Sequence, residues 1–226
     1  ASLSSRVPCK VLVVVNTVDD AIALYDHIHS KVNDKRIICY HSRFIQKDRT
    51  KKETELLKFN ETNESGILIA TQVVEVSLDI DFDILFSENA PIDALIQRAG
   101  RVNRKGGKKD TKVVVFRHST IAEEKIYDTP GILKKTFELL QQNHGKRLTE
   151  AEYIDLVDEV YKDYDVENNT IFKEARYKYQ RIQREQHQIK DLFGNDEVYT
   201  REGLDTVTVI PEVFEECLHG ATIEEK

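Results

Sequence analysis

The stretch QRAGRVNRKG, which begins at Gln97, places three arginines within seven residues. A guanidinium keeps its charge at any ordinary pH, and its planar fork matches two phosphate or carboxylate oxygens at once. These side chains could therefore face bulk water, a nucleic-acid backbone, or a phosphate carried by a partner domain. Pro91 suits a first helical turn, Asp93 complements its positive end, and Gly106-Gly107 supplies a stop, so the spacing predicts a helix from Pro91 to Lys105. On a 3.6-residue period Ile92, Leu95, Ile96, Ala99 and Val102 form one apolar stripe. Gln97, Arg101 and Arg104 fall opposite it, with Arg98 on a flank. Taken alone, a lined-up basic face is most often solvated.

The elements that would position this helix come from the first half of the chain. Short, β-branched, nearly continuous apolar runs at Lys10 (KVLVVV), Ile37 (IICY), Ile67 (ILIAT), Phe82 (FDILF) and Lys112 (KVVVF) read as five strands. Between them lie helical patterns: Ala21, Leu24, Tyr25, Ile28 and Val32 repeat at helical spacing, and 47–59 ends in Leu56, Leu57 and Phe59. Strands alternating with helices predict an α/β fold, a parallel sheet covered on both faces. Ligands of such sheets gather beyond the carboxyl ends of the strands. Asn16-Thr17, His41-Ser42-Arg43, Thr71-Gln72 and the arginine helix all follow strands.

Each cluster also has an ordinary structural reading. Thr17 with Asp20 fits a helix capping box, and His41-Ser42-Arg43 offers three phosphate-capable side chains that could equally form a simple turn. The polar, acidic loop VVEVSLDIDFD from Val73 is unusual between two buried strands. Glu75, Ser77 and Asp79 could hydrogen-bond a sugar or the arginine helix, or the loop could satisfy itself.

The 226-residue chain has no long apolar run, signal peptide or initiator methionine, so it reads as a soluble, cytoplasmic piece of something longer, with no membrane partner. Cys9, Cys39 and Cys217 are odd in number and sit in or beside apolar segments, which suits reduced thiols. The formal charge of -7 weighs against a nucleic-acid partner. Its distribution matters more: Arg98, Arg101, Arg104, Lys105, Lys108 and Lys109 make one basic end, while the acid gathers between Glu150 and Glu167. After His118 breakers at Pro130-Gly131 and Asn143-His144-Gly145 separate helical patterns over 132–142, 150–162 and 169–190, and TVTVIP at Thr206 suggests one late strand. The expected division is a sheet domain over 1–118 and a helical linker and accessory region over 119–226.

Taken together, VLVVVNTVDDAIALYDHI, YHSRF, ILIATQVVEVSLDID and QRAGRVNR occur in the order and approximate separation of motifs in the second RecA-like domain of second-superfamily helicases. The resemblance covers roughly Lys10 to Phe116. In QVVEVSLDIDFD and APIDALIQRAGRVNRKG it is closest to the CRISPR-associated helicase-nuclease of type I interference. It implies a RecA-like parallel sheet of the P-loop-NTPase type without a P-loop. It further implies that Arg101 and Arg104 reach the γ-phosphate of ATP held mainly, with Mg2+, by a first motor domain, Arg104 being the better finger. Gln97 would assist and Asp79 would bind the ribose. Thr71, Gln72, Thr17 and the His41-Ser42-Arg43 turn would hold the backbone of a single DNA strand. The implied partners are the first RecA-like domain, single-stranded DNA, a CRISPR surveillance complex and a nuclease domain.

The chain contains no G-x-x-x-x-G-K-[ST] loop and no Asp-Glu pair after an apolar strand, since Asp158-Glu159 falls in a helical pattern and Asp196-Glu197 in a polar one. Alone it is expected not to hydrolyse ATP. His27 and His29, two apart on a helix, diverge, so a metal site is not expected. Two other readings fit the residues: an RNA helicase motor domain of the DExH type, and a non-catalytic module that binds nucleic acid or protein.

Overall fold

The computed structural model describes residues 9–32, 36–75, 78–127, 131–165, 167 and 172–180. Five strands form one parallel sheet: β1 (Lys10–Val14), β2 (Ile37–Tyr40), β3 (Gly66–Ala70), β4 (Ile84–Glu88) and β5 (Lys112–Phe116), in the order β2-β3-β1-β4-β5. All five overlap the apolar runs read from the sequence, with β4 displaced two residues beyond the run that starts at Phe82. The helices are α1 (Val18–Lys31), α2 (Gln46–Glu61), α3 (Ile92–Ala99), α4 (Ile132–Gln142) and α5 (Glu150–Tyr161).

Alternation along the strands sends successive side chains to opposite faces. Leu12, Val14, Ile38, Tyr40, Leu68 and Ala70 pack with Leu56 and Phe59 of α2 and with Val74, Leu78, Ile80 and Phe82 of the β3–β4 connection. Val15, Ile37, Cys39 and Ile69 meet Ala21 of α1. Each fully buried aliphatic side chain here contributes about 1.5–3 kcal/mol. Cys39 is buried, which pushes its thiol up to about 11, while Cys9 is partly exposed; Cys217 lies outside the described residues.

The arginine helix is shorter than its pattern. It ends at Ala99, not Lys105, because a parallel bridge competes for the next residues: Phe82 N–H donates to Arg101 O (2.8 Å) and Asn103 N–H to Phe82 O (3.0 Å). Asn103 then takes a left-handed φ of 50°, which asparagine tolerates better than most residues. From Gly100 onward helical periodicity no longer decides where side chains point.

The region after β5 begins with a π-helical turn, Ala122–Ile126. The apolar faces of α4 and α5 close on α3, through Ile132, Leu156 and Val160 around Ile92. Helix α5 starts at a capping box in which Thr149 and Glu152 satisfy each other's backbone N–H. The first compact unit therefore runs to Tyr164, beyond the boundary expected at residue 118. In the second unit residues 172–180 are helical, and Arg176 pairs with Glu167 at 3.5 Å. The rest of the helix expected over 169–190 and the strand expected at Thr206 lie outside the described residues.

Candidate nucleotide and nucleic-acid site

The parallel register sets Tyr40 beside Ala70 and Ala70 beside Val14, so the carboxyl ends of β2, β3 and β1 lie in a row. His41, Thr71 and Asn16-Thr17 follow them directly. Thr17 caps α1, accepting from Asp20 N–H at 3.0 Å. The Asp20 carboxylate meets the Thr17 hydroxyl at 2.5 Å rather than a backbone N–H, so the expected box is half formed.

His41 and Thr71 are buried, whereas Ser42 and Arg43 are exposed and Arg43 pairs with Asp19. The His41 ring stacks on Phe44 at 4.2 Å, and its Nδ1 is buried without a hydrogen-bond partner. Burial, with the nearby Arg43 charge, holds the His41 pKa below its usual value. The imidazole is neutral near pH 7, so it offers a ring face and a hydrogen bond rather than a charge.

The arginines of QRAGRVNR share one target, the connection between β3 and β4. Arg98 Nε meets Glu75 Oε1 at 2.7 Å. Arg101 donates to Leu78 O (2.8 Å) and Glu75 O (2.6 Å). Arg104 Nε lies 3.0 Å from Asp79 Oδ1, and its backbone N–H donates to Asp81 Oδ1 at 2.9 Å. The expected contact between the acidic loop and the arginine helix is thus present at Glu75 and Asp79; Ser77 lies outside the described residues.

Their exposures divide the three by capability. Arg101, expected to face outward, is 7% exposed and clamped on two carbonyls, because the chain has left the helix by that point. Burial and then the neighbouring Arg104 push its pKa down, with Asp79 opposing. Arg104 and Asp79 retain 44% and 71% of their side-chain surface. Gln97 is exposed on α3. The group able to meet a phosphate without dismantling the fold is Arg104, with Asp79 beside it as an acceptor for hydroxyls.

Arg98, expected on a flank, is instead fully buried. All five of its donors are engaged: Nε with Glu75, one terminal nitrogen with Ser87 Oγ and Glu88 O (both 3.0 Å), the other with Asn16 Oδ1 (3.1 Å) and the Tyr127 hydroxyl (2.9 Å). Gln72 Nε2 joins the same group, donating to Asn16 O at 2.9 Å and reaching the Tyr127 hydroxyl at 3.4 Å. Burial raises the Glu75 carboxyl pKa, and Arg98 opposes that shift. Arg98 lies three residues from Leu95 and four from Ala94, so its position on the buried face was available from the helical wheel. Nothing in the sequence pattern marked Tyr127.

Among the described residues no group of three or more His, Cys, Asp or Glu side chains could hold a metal ion, and no helix is long and apolar enough to cross a membrane.

A five-stranded parallel sheet with helices on both faces, whose β3–β4 loop is gripped by arginines beyond β4, is an α/β fold of the RecA-like type found in helicases. Residues 8–107 match the family model described as CRISPR-associated nuclease/helicase Cas3, C-terminal. They are a Cas3-family helicase C-terminal domain. A Cas3 relative from Methanocaldococcus jannaschii is 37% identical over 166 residues, 68% of this chain and 21% of its own length. The crystal structure of T. fusca Cas3 superimposes with a TM-score of 0.59 at 25% identity, over 80% of this chain and 23% of that one. A chain in a structure titled CRISPR RNA-guided surveillance complex, pre-nicking, gives a TM-score of 0.56 at 25% identity, over 83% of this chain and 25% of that one. The chain spans about a fifth of the length of that Methanocaldococcus jannaschii relative.

Proposed function

We propose that this chain is the second motor domain of an ATP-dependent helicase that moves along single-stranded DNA in type I CRISPR interference. The observation that carries the reading is the exposed Arg104–Asp79 pair, a candidate finger and a candidate ribose acceptor held 3.0 Å apart. An exposed ion pair is worth only about 0–1 kcal/mol, so a nucleotide can exchange it for better contacts. Their donor and acceptor chemistry fits ATP: Arg104 suits a γ-phosphate oxygen, and Asp79 the ribose hydroxyls.

ATP, with Mg2+, would be held mainly by a first RecA-like domain, and it supplies the phosphoryl group whose hydrolysis drives movement. Closure of the two domains would bring Arg104 onto charge developing at that group. Gln97, exposed on the same helix, would add a hydrogen bond. Arg101 contributes by fixing Glu75 and Leu78, and so the loop that carries Asp79. Without a phosphate-binding loop of its own, the isolated chain would not turn over ATP.

Thr71, Gln72, Thr17, His41, Ser42 and Arg43 lie at the adjacent ends of three strands and would hold the DNA backbone. A surveillance complex that delivers the strand and a nuclease domain that cuts it complete the partners. The likeness to a chain in the surveillance-complex structure supports this arrangement.

The test is ATP hydrolysis by the full-length protein with no nucleic acid, with single-stranded DNA and with the matched RNA. Stimulation by DNA alone is expected. Stimulation by RNA in preference would make the track RNA, and no stimulation by either would remove the motor reading.

A further inference from the structure

Gln72, Arg98 and Tyr127 all hydrogen-bond Asn16, the first at its main-chain carbonyl and the other two at Oδ1, and of these three only Gln72 belongs to the proposed DNA contacts. Arg98 is buried, Tyr127 is half-buried, and neither is among the proposed contact residues. Their connections nevertheless run to both. The Tyr127 oxygen donates to Asn16 Oδ1 at 3.2 Å and accepts from Arg98 at 2.9 Å and from Gln72 at 3.4 Å, so a single phenol uses its whole hydrogen-bonding capacity on three separate segments. On one side, Gln72 follows Thr71 at the end of β3. On the other, Arg98 holds Glu75, whose carbonyl Arg101 also holds, four residues before Asp79.

We infer that Tyr127 is a positioning residue that couples the single-strand contacts at Thr71-Gln72 to the nucleotide-facing Arg104–Asp79 pair, acting through Arg98 and Glu75. The inference rests on the motor reading above. A DNA strand that engages Gln72 and draws its amide away from Tyr127 alters the bonds left for Arg98, and so the setting of the loop that ends at Asp79. Tyr127 lies beyond β5, outside the matched residues 8–107. The segment after the sheet therefore takes part in communication as well as packing.

The geometry also supplies a clean variant. In Tyr127→Phe, Gln72 keeps Asn16 O, Asn16 Oδ1 keeps Arg98, and Arg98 keeps Asn16, Glu75, Ser87 and Glu88. Each partner of the hydroxyl keeps at least one other bond, and only one of the five Arg98 N–H donors loses its acceptor, so the fold and the separate binding sites should survive.

The experiment measures single-stranded DNA affinity of the full-length protein by fluorescence anisotropy, with and without a non-hydrolysable ATP analogue. Coupling between sites is typically worth about 5- to 150-fold in affinity. The wild-type ratio of the two dissociation constants should lie in that range. In Tyr127→Phe it should fall towards one, while affinity without nucleotide stays within about twofold of wild type. Gln72→Ala should lose the ratio as well, and the double variant should lose no more than Gln72→Ala alone. A Tyr127→Phe protein with the wild-type ratio overturns the inference, as does equal weakening with and without nucleotide. A wild-type protein that binds both ligands independently sinks the coupling alone; one that binds no single strand sinks the motor reading and the coupling with it.

Discussion

Arg104 Nε and Asp79 Oδ1 stand 3.0 Å apart at the surface, whereas three residues earlier Arg101 is buried with its two terminal nitrogens on the carbonyls of Leu78 and Glu75. The two guanidiniums of one motif thus hold adjacent points of one loop with very different tenacity. The first pair is open to solvent, whereas the second cannot part without uncovering two buried carbonyls.

That contrast predicts opposite responses to truncation. Arg101→Ala leaves two carbonyls without their partner and should lower unfolding free energy by about 1–3 kcal/mol. Arg104→Ala breaks only an exposed pair and should change it by less than about 1 kcal/mol. Urea denaturation of the two variants checks the order; equal costs would show that Arg101 is no clamp.

Arg98 and Glu75 form a buried pair, and removing one member strands the other. Arg98→Ala should cost about 3–5 kcal/mol, while Arg98→Met combined with Glu75→Leu should recover much of it by replacing both charges with apolar volume. Thermal and denaturant unfolding of the single and double variants measure this. A double variant as unstable as Arg98→Ala would mean that the other partners of Arg98, at Asn16, Ser87, Glu88 and Tyr127, dominate.

His41 adds a pH dependence of definite sign. Its folded pKa lies below the free value of 6.5, so the native state favours the neutral ring. The resulting stability is present above pH 6.5 and is lost as pH falls through the lower folded value. His41→Asn should therefore show a flatter fall in melting temperature on the acid side of pH 6.5 than the wild type. Parallel acid limbs would assign the ring no such role.

Much of this was legible in the residues themselves. The strands at Lys10, Ile37, Ile67 and Lys112 are runs of β-branched and apolar residues that only a doubly covered sheet accommodates, and Ile132–Gln142 is bounded by glycine and asparagine as its pattern indicated. The end of α3 was not, because Phe82 recruits Arg101 and Asn103 into a bridge across some 20 residues of chain, and no local periodicity registers that competition. The helical period sets Arg98 on a flank; a buried guanidinium is tolerable only when acceptors from Asn16, Glu75, Ser87, Glu88 and Tyr127 converge on it, and that convergence is a property of the fold. The division at residue 118 followed a change of texture, yet Ile132, Leu156 and Val160 close on Ile92 and carry the compact unit to Tyr164. Asp79 and Arg104, by contrast, are residues to which the family resemblance gives nucleotide contacts, and the fold sets them side by side.

The most direct measurement is the turnover of ATP by the full-length protein carrying Arg104→Ala, with single-stranded DNA saturating. A finger at the phosphoryl group is worth about 10³–10⁵ in rate, so turnover should fall by that order while the melting temperature stays near that of the wild type. Turnover within about threefold of wild type would contradict the assignment of Arg104 to the transferring phosphate.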